Sequence, residues 1–145
     1  GEYTIEAWAA PANVVQEDAF IVSYSGGTMA RNMTLAQREY QYEAMNRSSK
    51  TNSNGEASLL TAAADRDAQA SLQHVVVTYD PVNGRRIYVN GNYTGDADRL
   101  GGGSLADWDD SFALVLGNET SSNRSWSGVL RLVAIHNRAL NATQI

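Results

Sequence analysis

The stretch His74-Val75-Val76-Val77-Thr78-Tyr79-Asp80, with its continuation through Arg85-Arg86-Ile87-Tyr88-Val89 to Asn90-Gly91, decides the fold class. The first run carries four consecutive β-branched residues, Val75 to Thr78, followed by Tyr79, which is the composition of a buried strand. Pro81 and Asn83-Gly84 break it, and the second run resumes it. Asn-Gly between two such runs is a strong hairpin signal, because both residues tolerate the positive φ of a type I′ turn. Residues 74–80, 85–89 and 92–95 therefore form an antiparallel meander.

The same grammar extends in both directions. Tyr3-Thr4-Ile5-Glu6-Ala7-Trp8-Ala9 alternates before Pro11-Ala12-Asn13, and Phe20-Ile21-Val22-Ser23-Tyr24 stops at Ser25-Gly26-Gly27. Arg31 to Gln37 alternates, and Tyr40 to Arg47 is placed to return beside it. Ala57 to Ala62 is a weaker strand, Phe112 to Leu116 another, and Ser127 to Asn137 the last and longest. That final strand is apolar on both parities, which predicts a central position in a sheet. Asn141-Ala142-Thr143-Gln144 has capping-box spacing. Nine to eleven short strands without a long amphipathic helix leave a two-sheet sandwich or a barrel.

Composition narrows function mainly by exclusion. The 145 residues, 43% apolar and 19% charged, make one folded domain rather than a disordered segment. Eleven basic against 16 acidic residues, a formal charge of −5, give no surface for nucleic acid. With no cysteine, disulfides, thiolate metal sites and cysteine nucleophiles are excluded. No apolar run approaches the ~20 residues of a membrane span.

Several residue sets resemble the laminin-G-like domains of the concanavalin A-like lectin/glucanase superfamily. They are Tyr3-Thr4-Ile5-Glu6-Ala7-Trp8, Leu72 to Asp80, Arg86-Ile87-Tyr88-Val89-Asn90-Gly91, Gly117-Asn118-Glu119 with Trp126-Ser127-Gly128, and Ala134 to Leu140. They span the chain in order. The Arg31–Gln37 stretch and Asp107-Trp108-Asp109-Asp110 are most similar to bacterial members. The resemblance implies an all-β, antiparallel jelly-roll sandwich whose first and last strands pair. It also implies a single domain over 1–145, excised from a larger protein, and an extracellular or cell-surface location, the bacterial periplasm included. Relatives bind glycans, bind proteins or act as spacers, and some hold calcium. Many carry an acidic residue early in the closing strand, where this chain has Gly128-Val129-Leu130-Arg131.

A glycosidase needs two carboxyls flanking the scissile bond, yet Glu6, Glu43 and Asp80 stand singly on their strands. His74 and His136 have no Gly-x-Ser-x-Gly elbow beside them; His74 reads as a structural, hydrogen-bonded residue and His136 as solvated. The Gly101-Gly102-Gly103-Ser104 run lacks the lysine and helix of a phosphate loop. For calcium, loop aspartates offer oxygen ligands, and Asp107, Asp109 and Asp110 are the candidates. Of the tryptophans, Trp8 and Trp126 are assigned to the core, while Trp108 is either a sugar platform or a plug over the sandwich edge.

The expected function is non-catalytic recognition of a glycan or polysaccharide. Its candidate contacts are Asn32, Gln37 and Arg47 on or beside a polar sheet face, Trp108 and Asp109 in one loop, and Glu119 and Arg124 in another. An extracellular protein partner or a spacer role is the alternative, and glycoside hydrolysis the remote one. Six Asn-x-Ser/Thr sequons, at Asn32, Asn46, Asn92, Asn118, Asn123 and Asn141, are taken as incidental.

Overall fold

A computed structural model describes residues 1–145. Ten strands form two five-stranded antiparallel sheets packed face to face. They are β1 (Tyr3–Pro11), β2 (Ala19–Gly27), β3 (Ala30–Arg38), β4 (Gln41–Asn46), β5 (Leu59–Leu60), β6 (Gln73–Asp80), β7 (Gly84–Val89), β8 (Asn92–Tyr93), β9 (Ala113–Leu116) and β10 (Gly128–His136). The first sheet runs β10-β1-β6-β7-β8 and the second β5-β4-β3-β2-β9. The expected meander is β6-β7-β8, with Asn90 and Gly91 at φ 51° and 82° in its turn. First and last strands pair, Thr4 opposite His136 and Trp8 opposite Leu132. The weak strand at 57–62 shrinks to Leu59–Leu60, and the only helical element is a 3-10 turn at Ala63–Asp65. The capping-box spacing closes a turn rather than a helix, with Gln144 N–H donating to Asn141 Oδ1 and Asn141 N–H to Gln144 Oε1. No helix is long and apolar enough to cross a membrane.

The core lies between the sheets and follows strand parity. Tyr3, Ile5, Ala7 and Ala9 of β1 meet Val75, Val77 and Tyr79 of β6 and Ile87 and Val89 of β7. From the other sheet come Ile21, Met33, Leu35, Tyr42 and Ala44. Trp126 joins them as expected, its indole N–H donating to Gln37 Oε1 at 2.8 Å.

Two expectations fail. Trp8 is not core: Thr4, Glu6 and Trp8 share the outward parity of β1, and Trp8 is 39% exposed. Nor is the last strand central: β10 pairs only with β1, and Val129, Leu132 and Ile135 are 51%, 49% and 41% exposed. Its double-sided apolar pattern has no second neighbour within this chain.

Arg85 ties the two layers together. Its guanidinium forks onto Asp98 at 2.7 and 3.2 Å, and its third nitrogen donates to the Ala44 carbonyl of the opposite sheet at 3.0 Å. The two side chains are only 2% and 4% exposed. Gly84, at φ 73°, makes room for the pair, since a Cβ there would sit 2.6 Å from Asp98 Oδ2. Removing one member of a buried pair strands the other charge, at a cost of about 3–5 kcal/mol. Asp98→Ala is therefore expected to lower unfolding stability in urea by that amount. A loss below about 1 kcal/mol, the range of an exposed pair, would contradict this role.

Candidate functional site

The polar residues of β3 are closed off and do not share one face, since Gln37 has the parity of the core residues Met33 and Leu35. Asn32, Thr34 and Gln37 are buried. The Asn32 amide donates to the Asp109 carbonyl at 2.8 Å and accepts from the Asp109 N–H at 3.0 Å. Gln37 donates to the carbonyls of Asn13 and Glu39, both at 3.0 Å, besides receiving Trp126. These groups are used inside the protein and reach no ligand in solution, so the expectation of binding through Asn32 and Gln37 is corrected. Glu119 is also buried, held by Arg31 at 2.6 and 3.1 Å. Arg47 and Arg124 are half-buried and Asp109 exposed, each in a loop or at a strand end of the second sheet.

Trp108 is a plug. Its indole N–H donates to the Arg47 carbonyl at 2.6 Å, and its ring packs 5.4 Å from Tyr3 and 6.1 Å from Tyr24, edge-on to the latter. It lines a cleft of about 500 Å³ between the open edges of the two sheets, with Tyr3, Tyr24, Phe112, Leu114 and Ile135.

The expected calcium ligands do not converge. Asp109 spends Oδ1 on the N–H and hydroxyl of Ser111, which hold its carboxyl below the usual range. The acidic oxygens that meet, within 4.8 Å of one another, belong to Asp65, Asp67 and Asp96. Their donor set of three carboxylates could coordinate a divalent cation such as Ca2+. Burial, then the charges of Asp65 and Asp96, raise the Asp67 carboxyl above its ordinary value. A carboxyl raised in the folded state disfavours folding while it is ionised. Asp67→Asn should accordingly raise the melting temperature at neutral pH in chelator, and an unchanged melt would contradict the repulsion.

The strand acids offer no hydrolytic pair. Glu6 faces outward from the first sheet. Glu43 lies buried on the second, where burial raises its carboxyl and Ser58 donates to it at 2.8 Å. Asp80 is held at a hairpin end by the backbone N–H groups of Val82 and Asn83.

The outer face of the first sheet is where polar and aromatic groups meet solvent. Trp8 lies across from His74 on β6, their ring centroids 4.8 Å apart and nearly parallel. Two residues along β1, Glu6 is shared by two imidazoles from the flanking strands. His74 Nε2 meets Oε1 at 2.8 Å, and His136 Nε2 meets Oε2 at 3.1 Å. Leu132 borders Trp8 on β10. His74 is thus hydrogen-bonded, as the sequence implied. His136 is part-exposed but bound, not free in solvent. Burial would raise the Glu6 carboxyl, but the hydrogen bonds from His136 and His74 outweigh it and hold it below its usual value.

One signal in the sequence marks this cluster: Glu6 and Trp8 have the same parity, opposite to Ile5 and Ala7. A strand that turns Ile5 and Ala7 inward must turn Trp8 out with Glu6.

A family model described as the concanavalin A-like lectin/glucanases superfamily, of laminin-G type, matches residues 1–145. The chain belongs to that family. Among solved structures, the CBM40 of the Ruminococcus gnavus IT-sialidase, bound to α2,3-sialyllactose, superposes on this laminin-G-like domain with a TM-score of 0.73. It is 13% identical, over 98% of this chain and 79% of that one. The botulinum neurotoxin type G receptor-binding domain gives 0.62 at 15% identity, over 99% of this chain and 36% of its own. The binding domain of botulinum neurotoxin DC, in complex with rat synaptotagmin II, gives 0.66 at 11%, over 99% and 34%. The chain spans about a third of the length of these toxin domains. At such identities the likeness is one of fold. Among curated proteins no sequence matches.

The Glu6 hydrogen bonds carry a pH prediction. A carboxyl lowered in the folded state contributes stability that is present above its unfolded value, near ~4.3, and lost as pH falls through the folded one. Between those limits the wild-type melting temperature should fall more steeply with acid than that of Glu6→Gln. Parallel profiles would show that the two histidines do not hold the charge.

Proposed function

We propose that this laminin-G-like domain is a non-catalytic, extracellular or cell-surface glycan-recognition module that binds through the outer face of the β10-β1-β6-β7-β8 sheet. The observation that carries the reading is the exposed Trp8 ring, stacked on His74 and lying next to Glu6. A pyranose has an apolar C–H face and a rim of hydroxyls. It needs a flat aromatic surface and a few fixed polar groups at the edge of that surface. Trp8 supplies the first. Glu6, His74 and His136 supply the second, their orientation set by their mutual hydrogen bonds before any ligand arrives.

The solved relatives support this reading. The R. gnavus module binds α2,3-sialyllactose, and cell entry of botulinum neurotoxin type C depends on interaction with two ganglioside molecules. Recognition of a protein is the second reading, favoured by the aromatic-lined cleft beside Trp108 and by the synaptotagmin complex of the DC relative. In that case the loop residues Arg47, Asp109 and Arg124 are contacts to a protein surface rather than to sugar.

Screening the domain against a glycan and polysaccharide array, in buffers with and without calcium, tests the proposal. A selective hit is expected, weakened at least about tenfold by Trp8→Ala, on the order of 1.4 kcal/mol. Trp108→Ala is expected to lower the melting temperature through loss of the plug while leaving the affinity of the folded protein unchanged. A hit that survives Trp8→Ala and vanishes with Trp108→Ala would move the site to the cleft. A blank array would favour the protein reading.

A further inference from the structure

Arg85 and Arg86 are consecutive on β7 and therefore face opposite ways. Arg85 turns inward and spends its guanidinium on Asp98 and the Ala44 carbonyl. Arg86, opposite Thr78, turns to the outer face of the first sheet. It is half-buried and has no hydrogen bond or ion pair within the chain, its guanidinium 5.9 Å from the centre of the Tyr93 ring. Asp80, diagonally across the β6–β7 ladder, is already in use. Its carboxyl accepts from the backbone N–H groups of Val82 and Asn83 and from the Asn83 amide.

Arg86 lines a cavity of about 260 Å³ together with Val82, Asn83, Tyr93, Asp98 and Gly101. The other charged group there, Asp98, is neutralised by Arg85. The wall is fixed before any ligand arrives. Asp98 accepts the Leu100 N–H at 3.2 Å, and the Tyr79 hydroxyl accepts the Gly103 N–H at 2.7 Å. Gly102 lies so close to Pro81 that a Cβ would overlap its carbonyl. The glycine run thus lets the loop after β8 lie directly on the β6–β7 turn.

We infer that this cavity binds a sugar unit bearing a carboxylate, of the uronic-acid class. A guanidinium carries five donors in a planar fork and meets a carboxylate with two parallel hydrogen bonds. Half-burying that charge without a partner is costly, and a ligand carboxylate supplies the partner. The rest of the lining is mixed, as a pyranose is. Val82 and the Tyr93 ring offer apolar surface to its C–H face. Asn83 spends its amide nitrogen on Asp80 and keeps Oδ1 to accept from a hydroxyl. The volume suits a single ring, below the ~300–1,000 Å³ of pockets for larger ligands. This site lies two strands from β1 and stands whether or not the Trp8 cluster takes a glycan.

Titration of the nitrogen-15-labelled 145-residue chain with D-glucuronate, and separately with D-glucose, tests it. The two sugars differ only at C6, where one carries the carboxylate. Glucuronate is expected to move the Arg86 Nε–H and Tyr93 amide signals with saturating dependence, and glucose to bind at least about tenfold more weakly. Arg86→Gln removes no internal bond, so its melting temperature should match wild type while glucuronate binding falls by a similar factor. Trp8→Ala should leave that binding unchanged. An Arg86 signal that stays still overturns the proposal, as does equal binding of glucose or full binding by Arg86→Gln. Inorganic sulfate moving the same signals at equal concentration would also overturn it, by reducing the site to a general anion contact.

Discussion

A strand inside a sandwich has two faces, and only one of them meets the core between the sheets. For β1 that constraint organises the molecule. It lies between β10 and β6, and Tyr3, Ile5, Ala7 and Ala9 fill the space between the sheets. The period of two then leaves no freedom for Thr4, Glu6 and Trp8, which must face outward. Thr4 is covered by the chain after β10, donating to the Arg138 carbonyl at 2.7 Å. Glu6 and Trp8 are not covered. The flanking strands bring His136 and His74 to the two sides of Glu6, so the same register that builds the core assembles the cluster on the far side of it.

The two sheets treat their outer faces differently. On the second, Phe20, Ala36 and Met45 form a small separate cluster, with the Arg31 guanidinium 5.0 Å over the Phe20 ring and bound to Glu119. A buried, bidentate pair adds little net stability, but its fixed geometry holds the loop after β9 in one place. On the first sheet no such device covers Trp8. One outer face is thus a second core and the other a surface for contact.

Part of this was legible in the alternation. The meander follows from local patterns that the tertiary structure respects, whereas the pairing of first and last strands, the core role of Trp126 and the bonded state of His74 came with the resemblance to laminin-G-like domains. The site was harder to see because its signal is relational. Trp8 alone looks like core by its size, and only its parity with Glu6 against Ile5 and Ala7 turns it outward. Asn32 and Gln37 misled for the converse reason. Polar side chains on an alternating strand suggest a wet face, but here loops carrying Asp109, Asn13 and Glu39 supply the hydrogen bonds that let them be buried. The loop acids Asp107, Asp109 and Asp110 are neighbours in sequence without meeting in space. Asp65, Asp67 and Asp96 meet only because the loops before β6 and after β8 come together.

The central claim is that ligand meets the Trp8 face of this laminin-G-like domain. Its three tryptophans occupy three distinct settings: Trp8 exposed on the outer sheet, Trp108 in the cleft, Trp126 in the core. Nitrogen-15-labelled protein gives one indole signal from each, and titration with an array-selected saccharide separates them. The account predicts that the Trp8 signal moves with saturating dependence, together with the backbone amides of Glu6, His74 and His136, while Trp108 and Trp126 stay in place. Movement of Trp108 with Trp8 unmoved would contradict it.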